Sequence, residues 1–448
     1  MGGKTSRDVR FRPVGANAQT SMSDRTLRYS PLNLGRWLVW SGFALVLIAA
    51  PQLFSQSFAL TLMSQMGIGI VFALSYNMLY GQAGMLSFGH AVYSGLGAYI
   101  AAHALNLIGR GQLGFPVTLL PAIGGLAGMA FAVVFGYVTT RRSGTTFAMI
   151  SLGIGELVAA CSLMFPGFFG GEGGVTTNRV VGQAFLGVSY GPAVQVYYLI
   201  AAWTFLCTAA MFAFTHTPLG RIANAVRDNP ERSEFIGYNP QRVRWFVMIV
   251  AGFFAGVAGG LSCINYEIVS AENVGAARSG GVLIATFIGG AGFFFGPILG
   301  AIVFALMVTA VGTVTKAWLL YLGLLFLAMV LYAPGGFASL ILLNLQMARF
   351  GQFRRLVPHY LALAAAGLVA LAGLVGLAEI TYYFSLEGRA SPRTRLFGIE
   401  MDVMSAAPWT SVLALLLVGS LLAALAWRRF RREWDDGQRI VQERQATT

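Results

Sequence analysis

Residues 245–290 read WFVMIVAGFFAGVAGGLSCINYEIVSAENVGAARSGGVLIATFIGG. The stretch 245–266 contains no charged side chain, and about 20 largely apolar residues are enough for a helix to cross the hydrocarbon of a bilayer. Within it Gly252, Gly256 and Gly260 recur every fourth residue, a spacing that lets helix backbones approach closely where lipid offers no hydrophobic drive between helices. After the polar stretch that follows, residues 280–290 form a second apolar piece bracketed by glycines. At 1.5 Å per residue it covers only about half a bilayer, so a broken or partial helix is expected there.

Working outward, further apolar runs fall at roughly 37–56, 58–80, 88–107, 116–139, 145–165, 195–214, 297–315, 318–333, 359–384 and 408–427. The 448 residues are 56% hydrophobic and 10% charged, against about 25% charged for a soluble domain. This excludes a water-soluble fold. The expected class is an all-α integral membrane protein, a polytopic helix bundle of about ten crossings, one short or broken, plus two extra C-terminal spans. The chain divides into a basic tail (1–36), a membrane domain (37–340), a C-terminal extension (341–427) and a charged tail (428–448). The first 36 residues are polar for too long to be a signal peptide.

The net charge of +13 does not indicate nucleic acid, because Lys and Arg flank the apolar runs and form no long basic stripe with interleaved aromatics. If 280–290 crosses, most of the 30 Lys and Arg residues lie on one side. Only Arg110, Arg179, Arg278, Lys316, Arg389, Arg393 and Arg395 lie on the other. The positive-inside rule then places both termini in the cytoplasm. Without that crossing the basic C-terminal tail would be outside.

Reactive constellations are scarce. Cys161, Cys207 and Cys263 sit singly in apolar segments, and the histidines at 90, 103, 216 and 359 lack metal-ligand spacing, so neither a metal site nor a catalytic residue is expected. Gly3-Lys4-Thr5 resembles the end of a phosphate loop but lacks its upstream glycine and strand. Glu156, midway along the fifth run, is costly in a bilayer unless paired, neutral or hydrated; it lines a pathway or fastens two helices. Asn77, Gln82, Ser87 and His90 surround a glycine-rich break, Gly81-Gln82-Ala83-Gly84, and either line a path or cap the broken helix. A similar break, Gly289-Gly290-Ala291-Gly292, lies 208 residues later. Its Gly289 and Gly290 face a substrate path or serve tight packing. Glu267, Glu272 and Asn273, at the outer end of the seventh run, are expected to be ordinarily solvated.

The main hydrophilic stretch is THTPLGRIANAVRDNPERSEFIGYNPQRVR, between the sixth and seventh runs on the basic side. Mixed charges and good helix formers predict a short surface helix, ended by Gly237 and Asn239-Pro240. Its part GRIANAVRDNPERSEFIGYN resembles the ATPase-contacting loop of LivM/LivH-type permeases, the membrane subunits of branched-chain amino acid ABC importers. YNMLYGQAGMLSFGHAVYSGLGAYIAA resembles that family's N-terminal glycine-rich signature, and FFAGVAGGL with VLIATFIGGAGFFFGPILGA its C-terminal half. The three ordered blocks cover roughly residues 40–340.

The resemblance implies a division of labour. A second homologous permease subunit, two ABC ATPases using ATP and Mg, and an extracytoplasmic solute-binding protein would assemble with this chain in membrane lipid of a bacterial inner membrane. This chain would hold no cofactor and perform no covalent chemistry. Gly220, Arg221, Ala223, Arg227, Asp228, Asn229, Glu231 and Gly237 match the docking loop, and Asn77, Gly81, Gly84, Ser87 and Gly89 the first signature. Four positions depart from the pattern: Arg232-Ser233 stands for small alanines, Ala271 for a common proline, and Ala159 for an arginine three residues after Glu156. ATP-driven alternating access is the implied mechanism, for branched-chain amino acids or related small polar solutes. The alternative class is an ion-coupled secondary transporter, which an intramembrane Glu would also suit. Residues 341–448 lie beyond the family pattern and are expected to stabilise the periphery or contact a partner.

Overall fold

A backbone removed from water must satisfy its N–H and C=O groups internally, and a helix does this residue by residue. In a computed structural model of the chain the apolar runs are helices, and residues 34–181, 189–349, 353–386, 393–396, 399–402 and 404–446 are described. The basic tail through residue 33 lies outside them. The helices are α1 (Leu34–Leu53), α2 (Ser57–Asn77), α3 (Ala91–Gly109), α4 (Leu120–Thr139), α5 (Gly144–Met164), α6 (Pro166–Phe169), α7 (Ala193–His216), α8 (Pro218–Asp228) and α9 (Pro230–Phe235). They continue with α10 (Pro240–Tyr266), α11 (Ala276–Gly289), α12 (Gly296–Ala305), α13 (Gly312–Val314), α14 (Trp318–Tyr332), α15 (Gly336–Arg349), α16 (Phe353–Leu386) and α17 (Ala406–Ala446). Among the described residues strands are confined to two antiparallel pairs, β1 (Val175–Thr176) with β2 (Ile268–Val269) and β3 (Arg393–Leu396) with β4 (Ile399–Asp402).

The protein is an all-α polytopic membrane protein. Among the described residues nine helices are long and apolar enough to span a bilayer, ten if α14 and α15, bent by 50°, count as one. Residues 48–448 form one contact unit and residues 1–47 another.

The middle of the larger unit is α10, packed against α3 and α4. Its glycine face explains the closeness. A Cβ placed on Gly256 would stand 2.2 Å from the Gly124 carbonyl oxygen of α4, and one on Gly97 of α3 would stand 2.7 Å from Gly256 Cα. Three backbones therefore converge on one residue, and no larger side chain fits.

Two irregular segments interrupt the helices of the bundle. After α2 the chain passes through a π turn, Met78–Gln82, and then runs without regular structure through residues 84–90 before α3 begins. After α10 it pairs briefly as β2, makes a single 3₁₀ turn at Ala271–Asn273 and only then enters α11. The helices α3 and α11 that follow them start beside one another, where the Ala91 N–H donates to Ser279 Oγ at 3.0 Å. The stretch 268–290 thus runs from the β1–β2 ribbon to the opposite face, where Ala291 meets Gly81 at the far end of α2. The short apolar piece is the helix α11, preceded on the ribbon side by non-helical backbone. Such backbone is tolerated at membrane depth when protein surrounds it, and Val269 and Val274 are buried.

The extension forms an antiparallel hairpin of α16 and α17, in backbone contact at Gly373 and Gly419. Met347 of α15, Leu356 and Phe430 join its lower end. Glu379 of α16 accepts hydrogen bonds from the Thr315 hydroxyl and, at 2.9 Å, from Tyr321 of α14. The boundary expected at residue 340 falls within α15.

Gly256→Leu is expected to destabilise the purified protein by about 1–3 kcal/mol, read as a lower unfolding midpoint in detergent. Gly367→Leu, at a helical position with open space around it, should leave the midpoint unchanged.

Candidate translocation and coupling site

The break after α2 begins where a π turn widens the helix, a distortion frequent at functional sites. Gly84 then takes φ +67°, a left-handed conformation that turns the chain back into the bundle. The returning segment is held by hydroxyls of neighbouring helices. Phe88 N–H donates to Ser151 Oγ of α5 at 3.0 Å, and Ala91 N–H to Ser279 Oγ of α11.

Asn77, Gln82, Ser87 and His90 are brought together around this break and all are buried. The His90 ring stacks on Phe72 with centroids 5.5 Å apart and stands edge-on to Tyr76. Its Nε2 lies 2.9 Å from Ser75 Oγ, whose own proton goes to the Phe72 carbonyl at 2.7 Å. The network therefore assigns the Nε2 proton as donor to Ser75 and leaves Nδ1 a bare acceptor. Asn77 Oδ1, Gln82 Oε1, Ser87 Oγ, His90 Nδ1 and Ser94 Oγ have no hydrogen-bond partner among the described residues. Buried polar atoms are normally paired, and here the unpaired ones concentrate in one short stretch.

The second break plays a different part. Gly290 has φ +108°, and Cβ atoms built on Gly289 and Gly290 would meet the carbonyl oxygens of Gly296 and Gly335 at 2.1 and 2.3 Å. These glycines are placed in backbone packing. A Cβ on Gly81 would lie 2.5 Å from the Ala291 carbonyl oxygen, so the two similar breaks touch each other.

The hydrophilic loop folds as two helices instead of one, because Pro230 cannot continue α8 and instead occupies the first turn of α9. Thr217 caps α8 by accepting from Gly220 N–H at 3.2 Å, and Asn229 caps α9 through Arg232 N–H at 2.9 Å. Gly237 turns the chain at φ +92°. Gly220, Ala223 and Val226 face the bundle, whereas Arg221, Arg227, Asp228, Asn229 and Glu231 are exposed. Arg227 joins the loop to the break: Nη1 donates to the Gly81 carbonyl, Nε and Nη2 each lie 2.9 Å from Asp228 Oδ1, and its stem covers Gly84. Sequence reading overlooked the tip, where Phe235 and Ile236 are 92% and 67% exposed. An apolar pair at the tip of a polar loop was the available signal.

Glu156 lies on the outward face of α5 beside Leu157 and makes no hydrogen bond or ion pair among the described residues. Two residues expected to be solvated are engaged instead. Glu267, at φ +56°, accepts Arg179 N–H at 2.9 Å and pairs with its guanidinium at 3.8 Å, while Asn273 Oδ1 accepts from Arg278. Arg278, read as an outer-loop cation, is half-buried in the bundle because α11 starts below the ribbon.

Helices that start beside one another inside a glycine-packed bundle, with a surface loop bonded to the break between two spans, define a multi-pass membrane permease. Residues 58–334 match the family described as branched-chain amino acid transport system / permease component, and the chain belongs to that family. It is 29% identical over 290 residues to the high-affinity branched-chain amino acid transport system permease protein LivM of Escherichia coli (strain K12), covering 60% of this chain and 67% of that protein. The corresponding protein BraD of Pseudomonas aeruginosa is 24% identical over 51% of this chain and 77% of its own length. The fructose import permease protein FrcC of Rhizobium meliloti is 25% identical over 50% and 66%. No solved structure matches the chain. The chain is a transmembrane permease of an importer, working within a multi-component system, and the ion-coupled secondary transporter is not favoured.

Ser75→Ala and Ser279→Ala, which remove partners of His90 and Ala91, are each expected to cost about 1–3 kcal/mol by leaving a buried group unpaired. Ser87→Ala and Ser94→Ala remove no side-chain bond among the described residues and should be nearly silent. Thermal unfolding of the four purified variants in detergent distinguishes the two pairs.

Proposed function

We propose that this chain forms half of the path of an ATP-driven importer for branched-chain amino acids or related small solutes. In this reading it pairs with a second homologous permease, two ATPases that bind ATP and Mg, and an extracytoplasmic solute-binding protein. It lies in a bacterial inner membrane with both termini cytoplasmic, and it has no ATPase site of its own. The relatives named for branched-chain amino acid transport support the substrate class. The positive-inside asymmetry supports the orientation.

One observation carries the coupling role: the exposed loop helix α8 is bonded by Arg227 directly to the glycine break that opens the buried polar cluster. Arg221, Asp228, Asn229 and Glu231 with the apolar tip Phe235–Ile236 form the surface that an ATPase would grip. Gly220, Ala223 and Gly237 let the loop pack and turn. Closure of the ATPase dimer on ATP favours one arrangement of the loops, since a ligand shifts an equilibrium only by its difference in affinity between states. The movement reaches Gly81 through Arg227. Asn77, Gln82, Ser87 and His90, with their unmade hydrogen bonds, line the path that opens and closes. Gly289 and Gly290 act as the packed pivot behind them. The outward face of α5 meets the second permease or the aqueous path, because a carboxylate such as Glu156 facing lipid at mid-depth costs about 2.5–3.5 kcal/mol or more.

Arg227→Ala with Asp228→Ala is expected to leave insertion and nucleotide hydrolysis in place while lowering solute uptake at least tenfold in the reconstituted complex. Coupled uptake at the wild-type rate by that double variant would remove the lever assignment.

A further inference from the structure

A second polar feature lies outside the site above. Between α2, α11 and α12 is a cavity of about 220 Å³ whose lining includes Gln65, Phe72, Arg278, Val282, Phe304 and Thr309. It is smaller than the 300–1,000 Å³ usual for drug-sized ligands. The π turn Leu306–Val311 that follows α12 supplies part of its wall.

Arg278 is its unusual member. It stands on the first turn of α11, and none of the ion pairs among the described residues includes it. Nη1 donates to Asn273 Oδ1 at 2.5 Å and Nη2 to Ser262 Oγ at 3.3 Å. A guanidinium carries five N–H groups, so these two neutral acceptors orient the fork and leave most of its donors free. The charge also sits 5.8 Å from the centre of the Phe72 ring. The N-terminus of α11 has no side-chain cap, so its open N–H groups add partial positive charge at the same place. An uncompensated cation packed among apolar side chains calls for a paired anion, and none of the described residues provides one.

We propose that this cavity binds a carboxylate-bearing aliphatic solute, with Arg278 as the counter-ion of the carboxylate. The inference rests on the importer reading and adds a recognition site within the permease itself. Arg is suited to the role because its planar fork matches a carboxylate with two parallel hydrogen bonds. Phe72, Val282 and Phe304 receive a branched side chain, and the Gln65 side-chain oxygen, already accepting from Thr309, has a further lone pair for an ammonium. Ala277 and Tyr266, both exposed, stand at the mouth. This opens the cavity on the side of the β1–β2 ribbon, the face by which an imported solute would enter.

The test uses the assembled complex in vesicles of phosphatidylcholine alone, which removes anionic lipid headgroups as competing occupants. Arg278→Gln is expected to lower leucine uptake at least tenfold with nucleotide hydrolysis retained, and Arg278→Lys to retain an intermediate rate. Ala277→Trp, at an exposed position, should also block uptake by filling the mouth. A binding measurement keeps the proposal testable if Arg278→Gln does not assemble. In the complex without its binding protein, millimolar leucine should raise the unfolding midpoint by several degrees, whereas leucinol, which has an alcohol in place of the carboxylate, should not. Ala277→Trp should abolish the effect. Wild-type uptake by both Arg278→Gln and Ala277→Trp, equal protection by leucine and leucinol, or protection by added phosphatidylglycerol in place of leucine would overturn the site. A wild-type complex that transports no leucine yet is protected by leucine over leucinol would retain the site and reject the substrate of the importer.

Discussion

Backbone hydrogen bonding in a medium without water is the constraint on which this structure depends. Full-length helices meet it unaided. The irregular segment between α2 and α3 does not, and it is where neighbouring side chains become indispensable: Ser151 receives Phe88 N–H, Ser279 receives Ala91 N–H, and Arg227 reaches the carbonyl of Gly81. Each partner comes from a different element, so the break exists only within the assembled bundle. Glycine serves the same requirement from the other direction. With no Cβ on Gly97, Gly124 and Gly256, α3, α4 and α10 approach closely enough for dispersion to hold them, which gives a rigid frame against which the irregular segments can be fixed.

Much of this was legible in the residues because it is local. Span length, glycine spacing in α10, the loop helix and its Gly237 stop follow from periodicity and turn chemistry. The charge count argued for a crossing at 280–290, although it could not show that the backbone leading into α11 is irregular. What stayed hidden is tertiary. Whether Glu156 points into or out of the chain depends on which face of α5 is packed, and the fifth run is apolar all round. Arg278 read as a loop residue because the distance from a helix start to the membrane surface is set by the preceding segment. Glu379 drew no notice, since its partners Thr315 and Tyr321 lie about sixty residues earlier. The split at Asn229-Pro230 was readable and should have been read, since proline after an N-capping Asn begins a helix.

The extension shows how a membrane protein adds mass without a hydrophobic drive. The α16–α17 hairpin is closed by backbone approach at Gly373 and Gly419 and anchored to the family core by one carboxylate bearing two hydroxyl donors. In hydrocarbon an unpaired Glu379 would be costly, so Thr315 and Tyr321 specify where the hairpin sits more than they strengthen it, while the Met347, Leu356 and Phe430 cluster supplies packing at the other end.

The proposed coupling loop and the proposed solute cavity lie at opposite ends of one element. Arg227 holds Gly81, Gly81 abuts Ala291, and Ala291 follows directly on the end of α11, whose first turn bears Arg278. Over the eleven residues from Arg278 to Gly289 a helix measures about 17 Å and transmits displacement along its axis with little compression. Gly289 and Gly290 are wedged against the backbones of Gly296 and Gly335, which blocks continuous sliding and leaves tilting about that contact as the available motion. On the proposed reading, a pull on α8 then tilts α11 and carries the guanidinium across the bundle, away from Asn273 and Ser262. Because those two neutral acceptors are what aim the fork, losing them weakens the grip on a carboxylate at the moment the path changes sides, which is the differential affinity that directional transport requires.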